Sequence, residues 1–187
     1  MVIPMTADLF SNPIQALPDA EKLYANLLEQ VRSAKSRKPS LHVVGLASGG
    51  AWIAKRIAKD LTLDAYGVIN VSFHRDDYAE KGVKALNDQH GLSTSLPFPV
   101  DGAHIILIDD ILDTGRTVRA ALNELFDYGR PAKVELAVLA DRYRRELPVE
   151  ASFRGAKVDI PEDHTLVLEQ SAQGDFIFTL EPTSHLR

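Results

Sequence analysis

An acidic pair, Asp109–Asp110, closes the apolar run Ile105–Ile108, and the chain then reads Asp113-Thr114-Gly115-Arg116-Thr117 before an amphipathic stretch begins. The two halves of this segment ask for opposite ligand chemistry. A turn that opens a helix presents backbone N–H groups with no intrahelical partner, and the helix dipole favours an anion there. Gly115 lets a ligand approach the backbone closely, and the Thr114 and Thr117 hydroxyls add donors. Thr114–Thr117 therefore reads as a phosphate cradle. Asp109 and Asp110 would repel a phosphate. They match hydroxyl groups, directly or through Mg2+, which takes few carboxylates and fills its shell with water and ligand oxygens. A ribose 5-phosphate satisfies both halves. The plainer alternative is a capped helix after a buried strand, with the aspartates as solvated strand-end charge; the complete string in this order favours the site.

The elements that must position this segment follow from hydrophobic periodicity. Residues 19 to about 35 read as an amphipathic helix, with Leu23, Leu27 and Leu28 at helical spacing and Pro39 as its breaker. A buried strand is expected over 41–47, a tight turn at Ser48-Gly49-Gly50, and then a helix with Trp52, Ile53, Ile57 and Leu61 on one face. Residues 66–73 and 103–108 read as strands, and a helix runs from near Gly115 to Gly129. Further strands are expected at 133–140, 165–168 and 176–180. Between 74 and 102 the pattern dissolves into charged sequence with Gly and Pro, and an irregular stretch of that length reads as a lid. Strands alternating with helices imply an α/β fold with a parallel sheet and ligands at the C-terminal strand ends.

The 187 residues are expected to form one domain, 45% apolar and 25% charged, with no cysteine to support disulfides or a thiolate metal site. Neither a secretory leader nor a membrane span is expected, and a net charge of −5 argues against a general nucleic-acid coat. The cytoplasm is the expected compartment.

Residues Ile105–Thr117 resemble the diphosphate-sugar motif of type I phosphoribosyltransferases. The resemblance implies a five-stranded parallel core sheet flanked by helices, a flexible lid and a small hood, here about 141–187 with the N-terminal segment. It implies Mg2+ as cofactor and 5-phosphoribosyl-1-pyrophosphate (PRPP) as sugar donor. Ala47, Ser48, Gly49 and Gly50 occupy the position of the family's pyrophosphate-binding turn. SFHRDDYAEKG occupies that of the lid, where Arg75, Lys81 and Lys84 would neutralise pyrophosphate. Asp109 and Asp110 would hold the ribose and, through it or water, the metal. Thr114, Gly115, Arg116 and Thr117 would hold the 5-phosphate. Asp113 would either take a proton from the base or stabilise the cationic transition state.

Within that family, RDDY (75–78) and GRPAKVELAVLADRYRRELPVEASFRG (129–155) resemble the PyrR-type proteins, regulators of pyrimidine operons that are also uracil phosphoribosyltransferases. The likeness spans roughly 19–165 and places uracil near Ala140, Asp141 and Arg142. It also implies a homo-oligomer, and possible binding of an RNA hairpin through Arg144, Arg145 and Arg154. Three features depart from the subfamily: Asp113 stands in place of a tyrosine, Tyr143–Arg144 in place of Gly-His, and Ala47–Gly50 lacks a Thr-Arg. Asp113 points toward 6-oxopurine enzymes. Against them, Asp141 stands where they carry a lysine that bonds the purine oxygen, a position from which a carboxylate would repel it.

Overall fold

Strands buried on both faces are written as continuous apolar runs rather than alternations, and LHVVGL and HIILI become the two central strands of the sheet. The computed structural model describes residues 17–71 and 93–183. In chain order they form α1 (Ala20–Arg37), β1 (Leu41–Leu46), α2 (Gly49–Asp60), β2 (Gly67–Ile69), β3 (His104–Leu112), α3 (Arg116–Asp127), β4 (Lys133–Asp141), β5 (Phe153–Lys157), β6 (His164–Gln170) and β7 (Phe176–Pro182). Five strands make a wholly parallel sheet in the order β2-β1-β3-β4-β5, and β6 and β7 pair antiparallel as a separate hairpin.

Successive residues of a strand face opposite sides, and β3 shows both sides filled. Ile106 and Ile108 join Leu27, Val31, Ile53 and Ile57 under α1 and α2, with Phe176 and Phe178 of the hairpin in the same cluster. Ile105 and Leu107 join Val118, Ala121 and Leu125 of α3 on the other side. Each of these side chains is almost fully buried, which contributes roughly 1.5–3 kcal/mol apiece against exposure.

Three boundaries differ from the sequence reading. Phe153–Lys157, assigned to the hood, pairs with β4 as a fifth core strand; its Phe-Arg-Gly-Ala-Lys sequence is too polar to announce an edge strand. Residues 93–102, assigned to the lid, are docked rather than loose: Ser95 exchanges two 2.8 Å backbone hydrogen bonds with Val68, and Val100 is buried. The turn expected at 48–50 is shorter, because Gly49 and Gly50 already belong to α2. The rest of the expected lid, with Arg75, Lys81 and Lys84, lies outside the described residues.

One polar knot ties the hairpin to the core. Arg56 of α2 donates to both oxygens of Glu21 on α1 at 2.6 and 2.8 Å, and the Phe176 backbone N–H donates to the same carboxylate at 2.7 Å. The guanidinium lies 4.3 Å from the Tyr24 ring centroid and 5.0 Å from that of Phe176. Burial, together with the hydrogen bond to Asp60, pushes the Tyr24 phenol far above its ordinary range, so it remains a donor. The Arg56 hydrogen bond holds Glu21 below the ordinary 4.5, outweighing the opposing effect of burial. A depressed carboxylate contributes stability above its unfolded value and loses that contribution as pH falls through the folded one. Glu21→Gln should therefore melt below wild type at neutral pH, and the gap should close as pH falls below 4.5. A melting-temperature gap that stays constant through the acid range would refute this.

Candidate active site

The sheet order reverses between β1 and β3: from β1 the chain moves outward to β2, then returns to the other side for β3. At such a switch point the following segments diverge and leave a crevice at the C-terminal strand ends. Here α2 follows β1 on one face of the sheet and α3 follows β3 on the other, and both begin without a side-chain cap. Two helix N-termini thus flank the end of β3, each with first-turn N–H groups and positive dipole ends facing the crevice.

Asp109 and Asp110 stand between them, only 2% and 5% exposed. Burial this deep rules out the alternative in which the pair is solvated strand-end charge. Asp109 Oδ1 accepts the Asp110 backbone N–H at 3.0 Å, while Asp110 packs on α2 so closely that a Cβ on Gly49 would collide with its Oδ2. A Cβ on Gly50 would collide with the Ile108 carbonyl oxygen. The Gly-Gly step therefore brings the start of α2 against the acidic pair. Across the crevice Gly115 has φ +94°, a left-handed conformation that glycine adopts without strain, and its missing side chain makes room for Val149. Thr114 Oγ1 accepts the Arg116 N–H at 3.3 Å, and Arg116 itself pairs with Glu146 at 2.5 Å.

Beyond the acidic pair a cleft of about 370 Å³ runs beneath the hairpin, lined by Asp113, Thr114, Arg116, Arg142 and Arg144 and, opposite, by His164, Thr165 and Thr183. Asp113 Oδ2 accepts from Arg142 Nη1 at 3.0 Å, and Oδ1 lies 3.7 Å from Arg144 Nε. The acid beside the cleft is thus faced by two guanidiniums.

Asp141 does not line this cleft. Its side chain is fully buried, accepts from Tyr143 N at 2.9 Å and Arg145 Nη2 at 2.7 Å, and lies 3.6 Å from Arg154 Nε. The argument that Asp141 repels a purine oxygen therefore fails, because its charge is met by two arginines inside the protein. The same contacts correct the RNA candidates. Arg145 and Arg154 are committed to Asp141, and Arg154 also to Glu150 at 2.7 Å, whereas Arg144 is nearly half exposed. Arg75, the remaining catalytic candidate, is outside the described residues. The segment from Arg142 onward was expected beside the base; that residues 142–149 hold the β3–α3 loop from behind was not foreseen, because the contact is made some thirty residues away, beyond any local pattern.

A parallel sheet with an acidic strand end between two uncapped helix starts is an arrangement suited to a ligand that carries both anionic groups and hydroxyls, and it can be set beside known proteins. The phosphoribosyl transferase domain matches residues 11–167, and the chain belongs to that family, whose members are pentosyltransferases. Within it the chain is of the PyrR type. It is similar to the Bifunctional protein PyrR of Ralstonia nicotianae, 51% identical over 88% of this chain and 95% of that one. The protein of the same name from Pseudomonas aeruginosa PAO1 is 42% identical over 84% and 88%. Among solved structures, a hypoxanthine-guanine phosphoribosyltransferase of Bacillus anthracis aligns with a TM-score of 0.58 at 18% identity, over 82% of this chain and 86% of that one. The hypoxanthine phosphoribosyltransferase of Trypanosoma cruzi in complex with IMP gives 0.55 at 20%, over 83% and 84%. At such identity the likeness is one of fold.

The two glycines should respond differently to alanine. Gly50→Ala meets backbone and should cost about 1–3 kcal/mol of stability. Gly49→Ala meets Asp110 along its whole side chain, with Oδ2, Cγ and Cβ all within 2.9 Å, so it should displace the carboxylate and lower turnover more than its smaller loss of stability accounts for. Equal losses of activity at equal melting temperatures would contradict the assignment.

Proposed function

We propose that the chain transfers the phosphoribosyl group of PRPP to uracil, giving UMP and pyrophosphate. The observation that carries this reading is the alternation of charge along the crevice: helix start, acidic pair, helix start. PRPP carries pyrophosphate on the anomeric carbon, hydroxyls on the ring and a phosphate at its far end, in the same order.

In this reading the turn Ala47–Gly50 and the α2 N-terminus take the pyrophosphate, Asp109 and Asp110 the ribose hydroxyls, and Thr114–Thr117 with the α3 N-terminus the 5-phosphate. The bond from the anomeric carbon to pyrophosphate breaks as the base nitrogen attacks that carbon, and the buried site limits competing attack by water. Fixed N–H donors aimed at the leaving group stabilise the charge that develops on it. The acidic pair fits Mg2+ in the way a borrowed-ligand site does: its donors are oxygens, and among the described residues no cluster of three or more acids or histidines would hold the ion by protein alone. Bound there, Mg2+ would supply charge neutralisation for the diphosphate. In this reading Asp113, held by Arg142 and Arg144, orders that side of the cleft beside the sugar.

Uracil is favoured over a 6-oxopurine by the resemblance of residues 129–155 to the PyrR-type block and by the 51% relative, against at most 20% for the two purine enzymes compared. Product formation from PRPP with uracil, hypoxanthine and guanine side by side tests it; efficient use of hypoxanthine with none of uracil would overturn it. Replacing both Asp109 and Asp110 with Asn should remove most turnover while the protein stays folded. The reason is that Asn conserves volume and relieves a buried like-charge pair, not that the site is exposed. Near-normal turnover in the double variant would remove the acidic pair from the mechanism.

A second reading, a regulator that binds an RNA hairpin, is favoured by what remains outside after Arg145 and Arg154 are discounted. Tyr143 and Arg144 are exposed, and Lys157 lies 4.3 Å from the Tyr143 ring. Hairpin binding should weaken steeply with salt, less steeply for Arg144→Ala, and should respond to UMP. Equally weak binding to any RNA, indifferent to UMP, would leave only the enzyme.

A further inference from the structure

The β3–α3 loop, residues 112–115, is held from behind by a single segment, and almost every contact is made to its carbonyl groups. Arg142 N donates to Leu112 O at 2.9 Å. Arg145 Nη1 donates to Asp113 O at 3.0 Å and reaches Leu112 O at 3.4 Å. The N–H groups of Glu146 and Leu147 both donate to Thr114 O, at 3.0 and 3.2 Å. Three successive carbonyls are thus drawn toward residues 142–147.

A trans peptide is planar, with C=O and N–H pointing in opposite directions. Pinning the Asp113 and Thr114 carbonyls therefore aims the N–H groups of Thr114 and Gly115 the other way, toward the crevice. The side chain at the centre of this arrangement is Arg145. Its Nη2 is fixed by the buried carboxylate of Asp141 at 2.7 Å and its Nε by Val149 O at 3.0 Å, which leaves Nη1 for the loop. A planar guanidinium can serve these diverging acceptors at once, whereas a lysine ammonium, a point charge on a flexible stem, cannot. Val149, held by the same arginine, is the residue whose side chain fills the space above Gly115.

We infer that Arg145 is a positioning residue for the sugar-phosphate cradle: through the Asp113 carbonyl it orients the Thr114 N–H group without touching substrate, while the backbone N–H groups of Glu146 and Leu147, next to it in the chain, set the Gly115 N–H through the Thr114 carbonyl. The inference rests on the proposed PRPP site and deepens it.

Steady-state kinetics of Arg145→Lys, varied separately in PRPP and uracil and paired with thermal melting, test it. Lysine keeps the charge beside Asp141, so the fold should survive. The KM for PRPP should rise about tenfold or more, with the KM for uracil little changed, because displacement of a binding group by a fraction of an ångström weakens that ligand first. Asp141→Asn leaves the guanidinium in place but loosens its anchor, and should raise the KM for PRPP in the same direction by less. A purely structural arginine would behave otherwise: Arg145→Lys, once folded, would restore the PRPP KM along with the melting temperature. That result, or two folded variants with wild-type KM for PRPP, would overturn the inference while leaving the site assignment standing. A wild-type protein with no PRPP turnover on any base would overturn the proposed function and this inference together.

Discussion

Two neighbouring carboxylates at the end of β3 are almost sealed from water, and like charges so placed repel each other and lose hydration. Everything around them offsets that cost. The sheet order opens a gap beside them, the helices on either face begin there with uncapped N-termini, and the Gly49–Gly50 step lets α2 come against Asp110. An alanine pair, or a capping serine with its own acceptor turned inward, would push one positive helix end back. The architecture is therefore organised around holding two acidic side chains in a place that water hardly reaches.

The second buried acid follows the same rule with other means. Asp141 has no helix start beside it and is met by Arg145 and Arg154 from the segment that follows β4. Removing one partner of such a set leaves a buried charge uncompensated, which costs far more than the pair gains. Strand end, hood segment and cradle are consequently coupled: the arginine that satisfies Asp141 also holds the carbonyls behind the phosphate site.

Much of this was legible in the residues alone, for identifiable reasons. The core strands declare themselves because double-sided burial requires unbroken apolar runs, and the Asp109–Thr117 string because its chemistry is local. β5 was not legible: an edge strand carrying Arg154 and Gly155 offers neither alternation nor an apolar run, although Gly155 is required where the Leu139 carbonyl approaches. The burial of Asp109 and Asp110 was not legible, because exposure at a strand end depends on what the next helices do. The basic run 142–157 looked like a free surface because two of the acids that meet it, Asp113 and Asp141, lie before it in the chain, at the ends of β3 and β4. His42 of β1 stacks on Phe98 with ring centroids 4.0 Å apart, which fixes part of the 74–102 stretch that the sequence had suggested was loose.

The place of α1 carries a consequence for how the molecule comes into being. Its buried stripe, Leu23, Leu27 and Val31, packs against β4, β5 and the hairpin, all made more than a hundred residues later on the chain. During synthesis that stripe has only part of its native surface, Ile53 and Ile57 of α2, until the far side of the sheet has emerged, and contacts so distant in sequence form slowly. The largely polar outer face of the helix, with Lys22, Glu29 and Arg32 exposed to water, then does more than decorate a finished protein. It keeps an incompletely partnered amphipathic segment soluble while the ribosome completes the surface it is waiting for.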